Sequence, residues 1–146
     1  MNSLEIHIDT EKDFSGYSSI SIGFEVCSRM NIEALLSPIT SRFIEEPVAP
    51  YWKDYDQIES EHPANLPQRF DTSNWGILVA SIGGSRVGGA ILACKSVDFE
   101  MLAGRDDLAV LVDLRIKAEL RDQGIGRNTW LTRSEPSGIQ AAAFKG

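Results

Sequence analysis

The sequence predicts an α+β fold: a mixed, mostly antiparallel sheet with helical cover. Three observations carry that reading. Most apolar residues fall in short strand-like runs with period-two alternation. One hairpin signal stands out, Gly83-Gly84-Ser85 between two β-branched-rich runs. One clear helix pattern follows the strongest strand, so the order is strands first and then a helix.

Taken in order, Leu4, Ile6 and Ile8 alternate with polar residues and predict a first short strand. Asp9 to Ser18 reads as a loop or a weak helix. Ile20, Ile22, Phe24 and Val26 alternate cleanly and predict a second strand, while Met30 to Leu36 is too short to assign. Ile39 to Val48 reads as an extended run, closed by Pro47 and Pro50. Tyr51 to Arg69 is polar, acidic and broken by Pro63 and Pro67, which predicts a long surface loop with at most one helical turn. Trp75 to Ile82 and Arg86 to Lys95 form the two arms of the hairpin. Phe99 to Asp106, with Gly104, is a connector. Asp107 to Ile116 is nearly continuous in apolar residues, as a strand buried on both faces would be. A helix opens at Gly124 and ends by Ser134, because Pro136 and Gly138 break it.

Composition narrows the function classes. A chain of 146 residues fits one domain, and 42% apolar with 24% charged residues suits a globular protein with its own core. The net charge of −7 argues against nucleic acid, which calls for a basic stripe, and suits a cationic partner. Cys27 and Cys94 both sit in apolar runs and read as buried free thiols. No stretch of 18 apolar residues is present, so no membrane span is expected. The opening MNSLEIHIDTEKDF is acidic and alternating rather than a signal peptide, so the default setting is cytoplasmic.

The chemistry concentrates in Arg121-Asp122-Gln123-Gly124-Ile125-Gly126, just after the strongest strand. Glycines let a backbone approach a phosphate closely, and a helix N-terminus presents unpaired N–H groups to an anion. Arg121 and Arg127 could add charge-assisted hydrogen bonds. The same six residues also suit a plain glycine-rich turn before a helix. No Gly-Lys-Ser/Thr follows, so this is not a Walker loop, and the glycine spacing differs from a dinucleotide fingerprint. No metal site is suggested.

The runs Leu111-Val112-Asp113-Leu114-Arg115-Ile116 and Arg121-Asp122-Gln123-Gly124-Ile125-Gly126-Arg127 resemble the acetyl-CoA-binding motif of the GNAT N-acetyltransferases. The hairpin before them matches the two strands that precede the motif in that family. With Pro50-Tyr51-Trp52-Lys53-Asp54-Tyr55 ahead of the hairpin, the chain is similar in style to the streptothricin-type members. The resemblance covers residues 4–127 and is strongest from Trp75 onward. It implies a cofactor, acetyl-CoA, whose pyrophosphate sits on the N–H groups of Gln123 to Gly126, near Arg121, Asp122 and Arg127. It implies a pantetheine arm paired with the backbone of Leu114, Arg115 and Ile116. The implied reaction is attack of a small, cationic amine on the thioester, with a general base removing a proton.

Asp113 is the acidic residue of the motif strand and the candidate base; a salt-bridged strand carboxylate is the alternative. Glu45, Glu46, Asp54 and Asp56 could attract the amine or lie in a solvated loop. Tyr51, Trp52 and Tyr55 could wall a substrate site or pack over the sheet. Residues 128–146 depart from the family, which continues with a strand, a helix and two more strands; SEPSGIQAAAFKG resembles none of these. The expectation is therefore a chain truncated after the motif, lacking the C-terminal strands and the family's tyrosine acid. An uncovered edge on the motif strand would then favour a homo-oligomer. Three readings follow: an N-acetyltransferase, an impaired acyl-CoA-binding or oligomerising protein of the same fold, or a plain α+β domain with a fortuitous loop.

Overall fold

The computed structural model describes residues 3–33, 42–134 and 140–143. The chain divides into two units, Met1–Ile22 with Tyr55–Gly146, and Gly23–Asp54. The larger unit is built on a five-stranded sheet of β1 (Leu4–Ile8), β4 (Gly76–Ile82), β5 (Ser85–Cys94), β6 (Leu108–Ile116) and β7 (Gln140–Ala143), in the order β1-β4-β5-β6-β7. The first four pair antiparallel, from Leu4↔Ile82 in β1/β4 to Gly88↔Ile116 in β5/β6. β7 adds in parallel, Leu108↔Gln140 to Leu111↔Ala143. The β4–β5 turn forms where expected: Gly83 and Gly84 have φ of 59° and 80°, a pair of values that glycine adopts without strain.

β7 corrects the expectation that the motif strand loses its next sheet neighbour. Its sequence, QAAA, has no strand signal of its own. The open ladder of β6 supplies the pairing, so tertiary context decides what propensity does not. The motif strand therefore has a sheet neighbour along its first half.

The sheet buries both faces. On one, Ile77, Ile91, Ala93 and Val110 pack against Phe14 and Tyr17 of α1 (Phe14–Tyr17), Leu66 of α2 (Leu66–Arg69), Trp75 and Leu102. Phe70, Trp75 and Phe99 stack around one another with ring centroids 5.2–5.7 Å apart. On the other face, Leu78, Ala90 and Leu92 meet Leu111, Leu114 and Trp130, while Ala80, Val87 and Ile116 meet Ile125. Ile125 and Trp130 belong to α3 (Ile125–Ser134), which begins and ends within a residue of the expected bounds.

The stretch read as a long loop is more ordered than expected. Residues 51–53 belong to a strand, and 3₁₀ turns at Tyr55–Gln57, Glu59–Glu61 and Pro63–Asn65 precede α2. The short turns fit the prolines: His62 caps the Pro63–Asn65 turn by accepting from Ala64 N–H at 3.2 Å.

β6 carries one extra residue. Ile91 pairs with Asp113 and Leu92 with Leu111, so Val112 is a bulge. Strict alternation from Leu111 would send Asp113 and Arg115 toward α3. The bulge reverses this. Leu111, Leu114 and Ile116 face α3, and Asp113 and Arg115 turn to the α1 side beside Tyr17.

The smaller unit is an antiparallel ribbon of β2 (Phe24–Glu33) and β3 (Arg42–Lys53). Two expectations need correction. The alternating run from Ile20 is split: the Ile20 N–H turns back to Tyr17 O at 3.4 Å and Ile20 is buried in the larger unit, so β2 starts only at Phe24. Pro47 and Pro50 do not end the extended run. A two-stranded ribbon leaves each strand one open side where a missing N–H is harmless, and the pairing jumps from Tyr51 to Pro47 opposite Val26 to Ser28. Cys94 is buried as expected, but Cys27 is exposed, because a lone ribbon has two faces and cannot cover both.

Candidate functional site

The site is built where β6 hands over to α3. Lys117 N–H donates to Val87 O at 2.8 Å, which closes the strand, and a 3₁₀ turn at Ala118–Leu120 follows. Asp122 and Gly124 then take positive φ, 63° and 83°, and reverse the chain into the helix. The first rung of α3 runs from Asn128 N–H to Gly124 O at 3.0 Å. The N–H groups just before it precede the helical ladder and point out of the helix start, with the positive end of its dipole behind them. A cleft of about 330 Å³ opens there, lined by Ile116, Leu120, Arg121, Asp122 and residues 124–127.

Gly126 is needed for close packing. A Cβ on it would lie 3.3 Å from Leu114 Cδ2, so the first turn of α3 sits directly on β6. Arg121 braces the loop: its Nε donates to Ile116 O and its Nη2 to Ser21 O, both at 3.0 Å. Its guanidinium is thus committed to carbonyls, while Asp122, Gln123 and Arg127 are exposed.

Beside this cleft the backbone of β6 is open. Pairing with β7 stops at Leu111↔Ala143, and among the described residues no strand covers that side from Asp113 to Ile116. A half-covered ladder next to a helix N-terminus offers an extended ligand a row of backbone donors and acceptors that leads to an anion site.

Under the bulge lies a buried polar hub. The Arg115 side chain is 1% exposed. Its Nε and Nη2 donate to Asp113 at 2.8 and 3.1 Å. Its Nη1 and Nη2 donate to Asp56 at 2.9 and 3.1 Å. Its Nη1 also donates to Ile20 O at 2.8 Å. Those five bonds account for the five N–H groups of a guanidinium. The Tyr17 ring lies against the group, 5.2 Å from centroid to Cζ, and the Tyr17 hydroxyl donates to Asp113 Oδ2 at 2.6 Å. Burial opposes the arginine's charge, yet its bonds to the Asp113 and Asp56 carboxylates outweigh that and hold its proton more tightly than usual. Burial, reinforced by the negative charge of Asp113, holds the Tyr17 hydroxyl well above the ordinary tyrosine range.

The structure gathers Ile116, Arg121, Asp122 and residues 124–127 around the cleft, packs Leu114 in the core beneath α3, and sets Asp113 and Arg115 on the opposite face of the strand. Glu45, Tyr51 and Trp52 belong to the ribbon unit. Glu45 accepts from the Ser28 hydroxyl at 2.7 Å, Tyr51 and Trp52 are more than half exposed, and the indole of Trp52 packs over Gly23. Sequence reasoning missed Tyr17 and the side chain of Arg115, and left Asp56 in a solvated loop. One signal was present. Asp113 and Arg115 lie two apart in a strand that reads as buried on both faces, and buried charges call for partners. Nothing in the sequence names Tyr17 as one of them. Among the described residues no group of three His, Cys, Asp or Glu side chains is placed to hold a metal, and no helix is long and apolar enough to cross a membrane.

The sequence matches no family model and no curated protein. Solved structures do match. A protein described as a streptothricin acetyltransferase from Bacillus anthracis str. Ames, in complex with acetyl coenzyme A, aligns with a TM-score of 0.58 at 18% identity over 89% of this chain. A nourseothricin acetyltransferase aligns with a TM-score of 0.59 at 15% identity over 90%. An aminoglycoside acetyltransferase from an uncultured soil metagenomic sample, in complex with trehalose, aligns at 0.50 and 13% over 98% of this chain and 78% of its own. The chain spans about 65% of the length of the first two. At these identities the likeness is one of fold, and that fold is GNAT-like.

Proposed function

We propose that this chain binds acetyl coenzyme A and transfers its acetyl group to the amine of a small cationic molecule, as a GNAT-type N-acetyltransferase. The observation that carries the reading is the half of β6 left uncovered among the described residues, running into the glycine turn at the start of α3. The likeness in fold to acetyltransferases, one of them described in complex with acetyl coenzyme A, supports it.

The residues present fit such a ligand. The N–H groups of Gln123 to Gly126 receive the pyrophosphate, the positive φ of Gly124 keeps that backbone clear of side-chain bulk, and Arg127 adds charge. Arg121 holds the loop in shape through Ile116 O and Ser21 O. The open backbone of Leu114, Arg115 and Ile116 pairs with the pantetheine amides. Acetyl coenzyme A supplies an activated thioester, and the amine supplies the nucleophile. Asp113 orients the ammonium and accepts its proton through solvent; three hydrogen bonds already load its oxygens. The net charge of −7 draws cations toward the protein.

The load on Asp113 favours one second reading, a non-catalytic acyl-CoA-binding protein of this fold. Two measurements separate the readings. Coenzyme A should raise the melting temperature of the wild type by mass action, and Gly124→Glu should abolish the rise. Release of free thiol from acetyl coenzyme A on addition of streptothricin or an aminoglycoside then reports transfer. Binding without thiol release selects the second reading, and no melting shift rejects both.

A further inference from the structure

We propose that Arg115 is a positioning residue for the acceptor side of this site: it fixes Asp113 in one orientation by tying that carboxylate to Asp56 and to the Ile20 carbonyl. The inference rests on the function proposed above, and its test is chosen so that the two fail separately.

The geometry carries it. A guanidinium with all five N–H groups engaged has no donor left for a ligand, so Arg115 acts through what it holds. Asp113 is gripped in a fork from one side and by the Tyr17 hydroxyl from another, which leaves its carboxylate one well-defined position. The far end of the fork is anchored as firmly. Asp56 lies on the 3₁₀ turn that begins where the chain returns from the ribbon, and Ile20 lies just before the chain departs for it. One buried side chain thus ties the bulged strand to Asp56 and to the Ile20 carbonyl. The hub holds two carboxylates against one guanidinium, so it keeps an excess negative charge, and Asp113 remains 15% exposed. The charged and titratable groups that face Asp113 are Arg115 from β6 and Tyr17 from α1, with Asp56 beyond the arginine.

Asp56→Asn is the discriminating variant, because Asp56 holds the far end of the fork by two bonds to Arg115. Acetyl transfer from acetyl coenzyme A to streptothricin is followed by thiol release, beside the melting shift with coenzyme A. Asp56→Asn should lower kcat by about tenfold or more, and Arg115→Met by about a hundredfold, the scale expected when a reacting group is misplaced by an ångström. Both should leave the coenzyme A melting shift and the KM for acetyl coenzyme A within about twofold of wild type. Arg115→Lys should recover little, since an ammonium has three donors and no fork.

An unchanged kcat in Asp56→Asn overturns the proposal, as does a loss confined to KM for acetyl coenzyme A. If Arg115→Met does not fold, Asp56→Asn decides alone. If the wild type shows no transfer, the Asp113 carboxyl carbon is compared by ¹³C NMR at one neutral pH in wild type and Asp56→Asn. A displaced or broadened resonance in the variant supports the proposal even though acetyl transfer has failed, and an identical resonance rejects it.

Discussion

At the scale of single residues, the hub dominates both stability and pH response. Removing the Arg115 charge alone strands two partly buried carboxylates. Arg115→Met should therefore cost about 3–5 kcal/mol in urea unfolding, the range for breaking a buried ion pair from one side. Tyr17 contributes to the alkaline loss of stability. Its folded state holds the proton more tightly than the unfolded chain does. Its contribution is thus complete below the ordinary tyrosine value, about 10, and is lost as pH rises beyond it. Tyr17→Phe should flatten the alkaline fall in melting temperature; an unchanged slope would show that other groups set it. This was the scale least legible in the sequence. Asp113 stood out as an acid in an apolar strand, but Tyr17 lies 96 residues from Asp113 and Asp56 lies 59 from Arg115. No local pattern joins residues so distant.

At the scale of elements, what the sequence states locally was readable. The hairpin was, because Gly83 and Gly84 are required by the turn geometry and not by any distant contact. A Cβ on Gly84 would meet no atom within 4 Å, so Gly84→Ala should cost only its backbone strain, about 1 kcal/mol, visible as a small fall in melting temperature. Gly89→Ala should cost far more. Its Cβ would lie 2.3 Å from Leu78 O, a backbone atom that cannot step aside. The glycine turn before α3 was readable for the same reason as the hairpin. β7 and the bulge at Val112 were not: one is a run of small residues recruited by an open ladder, the other a single extra residue inside a strand that scans as continuous. Deleting Val112 would restore regular pairing with β5 and still leave Asp113 and Arg115 on the α1 side, because Leu111, Leu114 and Ile116 then alternate with them. That variant and Val112→Ala should therefore both fold, which circular dichroism checks.

At the scale of the whole molecule, charge and uncovered backbone decide how the protein meets others. With a net charge of −7, association with a cationic acceptor should slow as salt is raised, while coenzyme A, itself an anion, should show no such attraction. Stopped-flow rates at two ionic strengths check this. The fold class was legible from strand order alone, but the division into two units was not, because the alternating run from Ile20 to Val26 crosses the boundary without a break. The open half of β6 also invites a second copy of the chain. Light scattering should therefore find a larger species without coenzyme A and a smaller one with it. The same half-length ladder has a pharmacological consequence. A short linear peptide, held straight by β-branched residues, offers the same main-chain groups as a pantetheine arm and should act as a competitive inhibitor. Its potency would depend on backbone N-methylation more than on side-chain identity.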